Sequence, residues 1–186
     1  MIYMKKVLDT IIQLDNQTHN PLRARSREVT KEEFSSVYLR DVISAMKSSL
    51  ARESDGVAIA APQIAVPLRL FVVAQEVYDE KAKSRPLVFI NPNIVKKSRK
   101  TAVMQEGCLS VRWTYGKTKR SVAVTVEAYD EEGKKFSYGG SGLLAHIFQH
   151  ETDHLDGILF IDHGFDLEEF TEEEVREAEK KNKEES

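Results

Sequence analysis

The run of six residues from Gln149 to His154 has the residue types and spacing of a metal-dependent hydrolase site. His150 and His154 are four positions apart, so on a helix they share one face and both imidazoles can reach one metal ion. Glu151 can accept or donate a proton at a water molecule bound to that ion. The alternative is structural: the two histidines pair with nearby carboxylates such as Asp153.

The residues around this run predict the helix that must position it. Ser141 can cap the N-terminus of the helix, and Gly157 can end it. Between them lies an apolar stripe of Leu143, Leu144, Ile147 and Phe148. The stripe indicates that this helix packs against the rest of the protein, so the two histidines are expected to lie inside it rather than on a solvated surface.

A catalytic metal held by two histidines needs a third protein ligand and an open position. Metzincins supply a third histidine six residues after the second, and this chain has Phe160 at that position, which excludes the metzincin arrangement. A glutamate from the 168–185 segment is one remaining source, and Cys108, the only cysteine, is the other. An isolated cysteine is more often a small buried hydrophobic residue, but beside a two-histidine site that lacks a ligand we interpret Cys108 as that ligand. His146 lies one turn before His150 and is interpreted as a wall residue, since three ligands along one straight helix do not converge on a single ion.

The composition predicts one catalytic domain over residues 1–186, with a charged C-terminal helix or tail at 166–186. The net charge of -3 gives no strong electrostatic case for binding DNA or an anionic membrane. A single cysteine excludes an internal disulfide framework and fits a reducing compartment. Because the chain has no apolar run of membrane-spanning length and no signal-peptide core, we expect a cytoplasmic protein.

Hydrophobic periodicity and local signals predict the other elements. A capping box from Thr30 to Glu33 predicts a helix that runs to about Arg52, and a second box at 171–174 predicts a charged helix that runs to about Lys181. The predicted strands are 68–73, 87–90, 122–126, 135–138 and 158–161, and the third and fourth form a hairpin. The small residues at 56–63 let a substrate backbone approach closely, or else form a tightly packed turn.

Three segments of the chain, taken together, resemble the peptide deformylases. They are GVAIAAPQ at 56–63, EGCLS at 106–110 and QHETDHLDG at 149–157, in the order that the family has. The resemblance runs from about Asn20 to His163, which is most of the chain. It implies an α+β fold with antiparallel sheets around a central metal-binding helix. It also implies removal of the formyl group from the N-terminal formyl-methionine of newly made proteins.

The resemblance also implies a metal set and a general acid/base. By matching position, the implied metal ligands are Cys108, His150 and His154, and Glu151 is the implied acid and base. The implied cofactor is one divalent ion, with Fe²⁺ in the cell and Zn²⁺ or Ni²⁺ in preparations, because cysteine and histidine ligands suit several of these metals.

The implied substrate contacts come mainly from the segments at 56–63 and 106–110 and from the start of the helix that carries the two histidines. Gln63 and the backbone N–H of Leu109 match the groups that bind the formyl oxygen. The implied substrate-binding residues are Gly56, Val57, Ala58, Ile59, Met104, Leu143, His146 and Ile147. The implied partners are N-formylmethionyl nascent peptides, and the charged tail can contact the ribosome.

The chain departs from the family's pattern at three places. Ala58 stands where a glycine is usual, so its methyl group intrudes where substrate backbone would lie. Arg112 and Trp113 follow the cysteine segment where a proline is usual, and His146 places a titratable group at the pocket wall. Two alternatives stay open. One is a deformylase-like protein that binds metal and peptide with weak or no turnover, and the other is an endopeptidase that uses Glu174 or a neighbour as third ligand.

Overall fold

The computed structural model describes residues 10–14, 20–77, 87–175, 177 and 178. Among these residues, the helices that position the site are α1 (Val37–Ala51) and α2 (Leu143–Leu155). The strands are β1 (Ala58–Ala60), β2 (Leu70–Val73), β3 (Leu87–Lys97), β4 (Thr101–Cys108), β5 (Val111–Ser121), β6 (Ala123–Tyr129), β7 (Lys135–Ser141) and β8 (Phe165–Glu169). Short 3-10 helices lie at Pro21–Arg23, Ala61–Ile64, Gln75–Val77 and Phe160–Asp162.

The strands form two antiparallel sheets. One has the order β1-β2-β3-β6-β7, and the other has the order β4-β5-β8. The chain passes between the sheets twice at one corner, where the β3–β4 connection runs beside the β5–β6 connection. There the N–H of Ser98 donates to the carbonyl of Ala123 (2.9 Å), and the N–H of Val122 donates to the carbonyl of Lys100 (3.1 Å). The predicted α+β class with antiparallel sheets is confirmed.

The five-stranded sheet is covered on both faces, which fixes α2 in place. Successive residues of a strand point to opposite faces of a sheet. Along β2, Leu70 therefore joins the apolar cluster under α1, and Phe71 joins the cluster under α2. Phe148 of α2 is fully buried, with its ring centroid 6.1 Å from that of Phe71 and 5.0 Å from that of Phe89. Helix α2, which carries His150 and His154, is thus a core element, as its apolar stripe predicted.

The start of α1 differs from the prediction. The N–H of Thr30 donates to the carboxylate of Glu33 (2.8 Å), as in a capping box, but residues 31–35 form turns. The helix begins at Val37, after the Ser36 side chain accepts a hydrogen bond from the N–H of Leu39 (3.1 Å). The predicted start at Thr30 was wrong because a second cap, six residues later, initiates the helix.

The ends of α2 are set by two glycines. The predicted cap Ser141 is instead the last residue of β7, and Gly142, with φ 56°, occupies the cap position. Gly157 has φ 76° and ends the helix as predicted. A side chain at Gly157 is excluded, since a Cβ there would lie 2.6 Å from the carbonyl oxygen of Arg23.

Three of the predicted strands, β3, β6 and β7, are longer than predicted, whereas β2 at Leu70–Val73 is shorter than the predicted 68–73. β3 continues past Asn91 and Pro92 to Lys97, with a register shift between Ile90 and Asn93. Asn91 has φ 50°, and its side chain makes two hydrogen bonds of 2.8 Å to the backbone of Val29, so the Asn-Pro pair forms a bulge and not a strand end. The predicted strand at 158–161 was wrong, because the chain forms a 3-10 helix at 160–162.

The hairpin of β6 and β7 is confirmed, with Val126 opposite Tyr138. The second capping box also forms, since the N–H of Thr171 donates to the Glu174 carboxylate at 2.7 Å. The helix that it opens is described only at 172–175, 177 and 178, and its predicted end near Lys181 lies outside the described residues. Among the described residues, no helix is both long enough and apolar enough to cross a membrane.

Candidate metal centre

Three potential ligands converge where the end of β4 meets the middle of α2. The Nε2 atoms of His150 and His154 are 3.1 Å apart. The sulfur of Cys108 lies 3.2 Å from the Nε2 of His154. Each residue offers one ligand atom, and these three atoms all lie within 4.8 Å of one another. Cys108 can reach the helix because it is the last residue of β4, at a register shift where it pairs with Val111 across the turn.

Within the described part of the chain, the other predicted sources of a third ligand do not meet the histidines. Among the described residues, the group of His, Cys, Asp and Glu side chains that could hold a metal ion is Cys108, His150 and His154. Glu174 instead accepts hydrogen bonds from the backbone and the hydroxyl of Thr171 (2.7 and 2.9 Å) on an exposed C-terminal turn. The ring of Phe160 lies beside His150 with 6.5 Å between centroids, so this residue packs against the site.

A buried carboxylate behind the histidines fixes their orientation. Glu106 is 5% exposed and accepts two hydrogen bonds from the guanidinium of Arg120 (2.9 and 2.8 Å). It also contacts the Nδ1 of His150 and the Nε2 of His146, each at 2.5 Å. Burial opposes the charge of Glu106, but the hydrogen bonds from the two histidines and Arg120 hold its pKa well below its usual range. An ionised carboxylate only accepts, so His150 donates through Nδ1, and in the neutral imidazole its Nε2 carries the lone pair that faces the other ligands.

This charged layer continues away from the site. Arg120 also donates to the Asp153 carboxylate at 2.8 Å, and Thr118 donates its hydroxyl proton to Glu106. Sequence reasoning missed both Glu106 and Arg120 as functional residues. The position of Glu106, two residues before Cys108 in the EGCLS segment, was a usable signal. Arg120 gave none, because its pairing with Glu106 depends on the β4–β5 register.

Glu151 lies beside the ligands in a place that disfavours charge. It is 4% exposed, and among the described residues its Oε2 has no hydrogen-bond partner. Burial raises the pKa of Glu151 to about 7, against the lowering effect of His150. Burial and the neighbouring His150 lower the pKa of His154 well below its ordinary value. For His150, burial acts in the same direction, but hydrogen bonds to Cys108 and Glu106 raise its pKa well above that value.

Gln63 presents a hydrogen-bond donor to this centre. It lies in the 3-10 helix at 61–64, where its side-chain oxygen accepts from the N–H of Ala60 (2.8 Å). Because that oxygen is engaged, the amide nitrogen points the other way, to the hydroxyl of Ser110 (3.2 Å) and the sulfur of Cys108 (3.7 Å). Leu109 follows Cys108 in the turn, and its carbonyl accepts from the Gln13 side chain at 2.9 Å.

A cavity of about 310 Å³ opens onto these residues. Of the predicted substrate-binding residues, those that line it are Val57, Ala58, Leu143, His146 and Ile147. Gly56, Ile59 and Met104 are not among the lining residues, and Ile59 is fully buried in the cluster under α1. Gln63, Cys108, Leu109, His150 and Glu151 line it as well. Two of the three potential ligands, Cys108 and His150, therefore lie in the wall of this cavity, and the substrate roles stay predictions.

The rim of the cavity has an unusual backbone. Trp113 has φ 65°, in the left-handed region that few non-glycine residues adopt. The guanidinium of Arg112 lies 5.4 Å from the centroid of the Trp113 ring and pairs with Asp55 (3.0 Å) and with Glu53. These contacts tie the β5 end of the rim to the loop before β1. Arg112 and Trp113, which stand where the resemblance expects a proline, are therefore held in place by these contacts.

Comparisons with known proteins agree with this geometry. A sequence model of the family described as polypeptide deformylase matches residues 9–170. A peptide deformylase of Rhizobium meliloti (strain 1021) is 47% identical over 111 residues, which cover 60% of this chain and 63% of that protein. One of Desulforudis audaxviator is 41% identical over 145 residues, which cover 76% of this chain and 85% of that protein. The chain thus spans less than two thirds of the first relative and most of the second.

Solved structures are similar over most of the chain. The class I type b peptide deformylase of Acinetobacter baumannii with Met-Ala-Ser bound is 30% identical, with a TM-score of 0.73, and the match covers 86% of this chain and 99% of that one. A peptide deformylase of Synechococcus elongatus in complex with actinonin is 34% identical, with a TM-score of 0.74, and the match covers 88% and 83%.

Proposed function

This chain belongs to the peptide deformylase family, and we propose that it removes the formyl group from the N-terminal formyl-methionine of newly synthesised proteins, releasing formate. The family match over residues 9–170 supports this activity. The observation that carries it is the convergence of Cys108 with His150 and His154 within 4.8 Å, beside the buried carboxyl of Glu151. That set combines a metal donor group with a proton carrier in the wall of a cavity, which is what hydrolysis of a formamide requires.

The donor set fits a divalent metal ion. Two imidazole nitrogens and a sulfur lie together, and the Glu106 hydrogen bond engages Nδ1 of His150, so the neutral ring can offer Nε2 to a metal ion. We propose that Cys108, His150 and His154 hold Fe²⁺ in the cell, and that Zn²⁺ or Ni²⁺ can take its place in preparations. When bound, such an ion supplies Lewis acidity to the formyl carbonyl and makes water more acidic.

The chain's own residues then move the proton and bind the developing charge. Glu151 accepts a proton as water adds to the formyl carbon, and it delivers that proton to the nitrogen as the carbon–nitrogen bond breaks. The products are formate and a free N-terminus. Gln63, whose amide is oriented by Ala60, and the backbone N–H of Leu109 bind the carbonyl oxygen as it becomes negative. Loss of one such donor costs about 100- to 1,000-fold in rate.

The substrate side chain is proposed to enter the cavity. Val57, Leu143 and Ile147 supply apolar wall, which suits a methionine side chain. Ala58 of β1 lines the cavity, so its methyl group takes up part of the space beside the centre. We propose that this narrow site admits formyl and excludes larger acyl groups. Comparable rates on formylated and acetylated peptides would contradict that proposal.

Two variants test the assignment. Glu151→Gln should keep the metal and lose formate release from formyl-Met-Ala-Ser, because only the proton carrier is removed. Cys108→Ala should lose the metal as well. If Cys108→Ala keeps its metal content, the sulfur is not a ligand and the endopeptidase alternative returns. If the iron-loaded protein binds the peptide without releasing formate, the chain is a binding module.

Further proposals concern the setting of the reaction. We propose that residues 1–186 form a single catalytic domain, since the two apolar clusters share the strands of one sheet. We propose cytoplasmic action on N-formylmethionyl nascent peptides, with the charged segment at 166–186 in contact with the ribosome. If Fe²⁺ is the native metal, aerobic purification should lose activity that anaerobic reconstitution restores. An activity indifferent to oxygen contradicts this choice of metal.

A further inference from the structure

Positive charge is concentrated at one corner of a protein whose net charge is negative. Between residues 87 and 126 the sequence has eight basic residues and one acidic residue, Glu106. Glu106 is buried against Arg120 and is not available to the surface. Six of the basic residues are exposed, and one of these, Lys117, pairs with Asp166. The other five are called the basic strip: Lys96, Lys97, Arg99, Lys100 and Lys119. The net charge of -3 conceals this separation.

The backbone holds these five residues in one place. Lys96 and Lys97 end β3, and Arg99 and Lys100 lie in its connection to β4. That connection is bonded to the chain between β5 and β6, since the Ser121 hydroxyl donates to the carbonyl of Ser98 (3.0 Å). Lys119 lies two residues before Ser121 on β5, a distance of about 7 Å along a strand. The strip therefore covers the corner at which the chain passes twice between the two sheets.

The charges of the basic strip are not compensated by acidic side chains among the described residues. None of its five residues forms an ion pair within the part of the chain that the structure describes. Elsewhere, several exposed cations are paired, as in Arg23–Asp162 (2.6 Å), Arg27–Glu33 (2.6 Å), Lys117–Asp166 (3.0 Å) and Lys135–Glu127 (2.7 Å). Uncompensated charges of one sign at one corner give a local field that neutral pairs do not give.

We propose that the basic strip binds the phosphate backbone of RNA, without reading its sequence. Phosphate contacts need cations and hydrogen-bond donors, and lysine and arginine supply both. An anionic bilayer is the less suitable partner, because surface-bound segments also insert large apolar side chains. The exposed apolar residues next to the strip are two valines, Val95 and Val103. The choice of RNA rests on the proposed function, since an enzyme for newly synthesised chains meets them at an RNA-rich particle.

The expected binding is strongly dependent on salt. Each phosphate neutralised on single-stranded nucleic acid contributes about 0.7 to the slope of log K against log salt. Five contacts give a slope of roughly -3.5, which is about a 100-fold loss of affinity between 50 and 200 mM salt. A sequence-independent surface should give the same affinity for RNA probes of equal length and different sequence.

The probe is a fluorescently labelled 20-nucleotide single-stranded RNA, with affinity measured by anisotropy over a KCl series. The test variant replaces all five strip residues by glutamine: Lys96→Gln, Lys97→Gln, Arg99→Gln, Lys100→Gln and Lys119→Gln. A matched control makes the same change in net charge at other exposed cations: Arg25→Gln, Lys31→Gln, Arg40→Gln, Lys134→Gln and Lys135→Gln. The midpoint of thermal unfolding is measured for each protein, because all ten positions are exposed and should tolerate glutamine.

The strip variant should bind RNA at least tenfold more weakly at 50 mM salt and lose most of the salt slope, while the control stays within about threefold of the original protein. The proposal is overturned if the original protein does not bind RNA at 50 mM salt, or if both variants lose affinity equally. It is also overturned if vesicles of phosphatidylglycerol and phosphatidylcholine are bound in a strip-dependent way and RNA is not. Formate release from the free peptide should be the same in both variants as in the original protein. If the original protein releases no formate, that result counts against the proposed activity and not against the RNA surface.

Discussion

Replacing Arg120 by methionine tests how much the buried ion pairs of Arg120 with Glu106 and Asp153 contribute to the free energy of unfolding. These three residues are the charged layer behind the candidate metal centre. Arg120 is 8% exposed and donates to Glu106 (2.9 and 2.8 Å) and Asp153 (2.8 Å). Methionine fills a similar volume but leaves both carboxylates without their cation. Breaking a buried ion pair by removing one partner costs about 3–5 kcal/mol. In a domain of this size, 1 kcal/mol lowers the unfolding midpoint by about 2–4 °C, so Arg120→Met should lower it by roughly 6–20 °C.

The assay is urea unfolding together with calorimetry of the metal-free protein, so that lost metal does not contribute to the change. Lys135→Met is the control, since its pair with Glu127 (2.7 Å) is exposed and should contribute about 0–1 kcal/mol. A second readout is metal affinity, which typically falls about 10- to 100-fold when groups that orient the ligands are lost. If Arg120→Met destabilises the protein no more than Lys135→Met does, the layer has been misinterpreted.

Three further changes test other parts of the structure. Phe148→Ala should lower the free energy of unfolding by about 3–5 kcal/mol, as measured by urea titration, because it empties the centre of the cluster under α2; a loss under 1 kcal/mol would show that the cluster is not the core. Hydrogen bonds from Arg27 lower the pKa of Glu33 to about 2, so this carboxylate stabilises the fold above its unfolded pKa of about 4.5 and loses that effect as the pH falls from about 4.5 to about 2. Glu33→Gln should therefore flatten the decline of stability over that interval, and an unchanged profile would contradict the pair. Gly107→Ala should lower kcat/KM for the formylated peptide, since its Cβ would lie 2.9 Å from the Tyr115 ring, and Tyr115→Ala in the same chain should restore part of the loss if that clash is the cause.

The parts of the site that could be predicted are those encoded by spacing along one element. The periodic stripe of α2 and the four-residue interval between His150 and His154 are properties of the helix itself, so both were visible in the sequence. The helix end at Gly157 could be predicted for the same reason, because a glycine in the left-handed conformation ends a helix whatever the helix packs against. Spacing alone did not place Cys108 beside the histidines: its residue type favoured it as the third ligand, and the resemblance assigned it that position.

What could not be predicted depends on competition between local signals or on pairing between distant strands. Thr30 and Ser36 are both good caps, and only the packing of α1 on β1 and β2 decides which one starts the helix. Strands β4 and β5 carry charged and polar residues on both faces, because one face is solvated and the other holds Thr118 and Arg120 against Glu106. The usual signal of a strand, an alternation of apolar and polar residues, is therefore absent where the structure has its longest hairpin.

The same hairpin explains how ligands from two elements can form one centre. Strand β4 and helix α2 share no hydrogen-bond ladder, so side chains must fix the position of Cys108 relative to the two histidines. Glu106 and Cys108 lie two residues apart at the end of β4, and both side chains contact histidines of α2. One oxygen of Glu106 contacts His150 and the other contacts His146, each at 2.5 Å, and the two histidines lie one turn apart on the helix. His146, interpreted from the sequence as a wall residue, is thus also half of a two-point clamp between helix and strand, and the position of the sulfur depends on that clamp as much as on the turn that carries it.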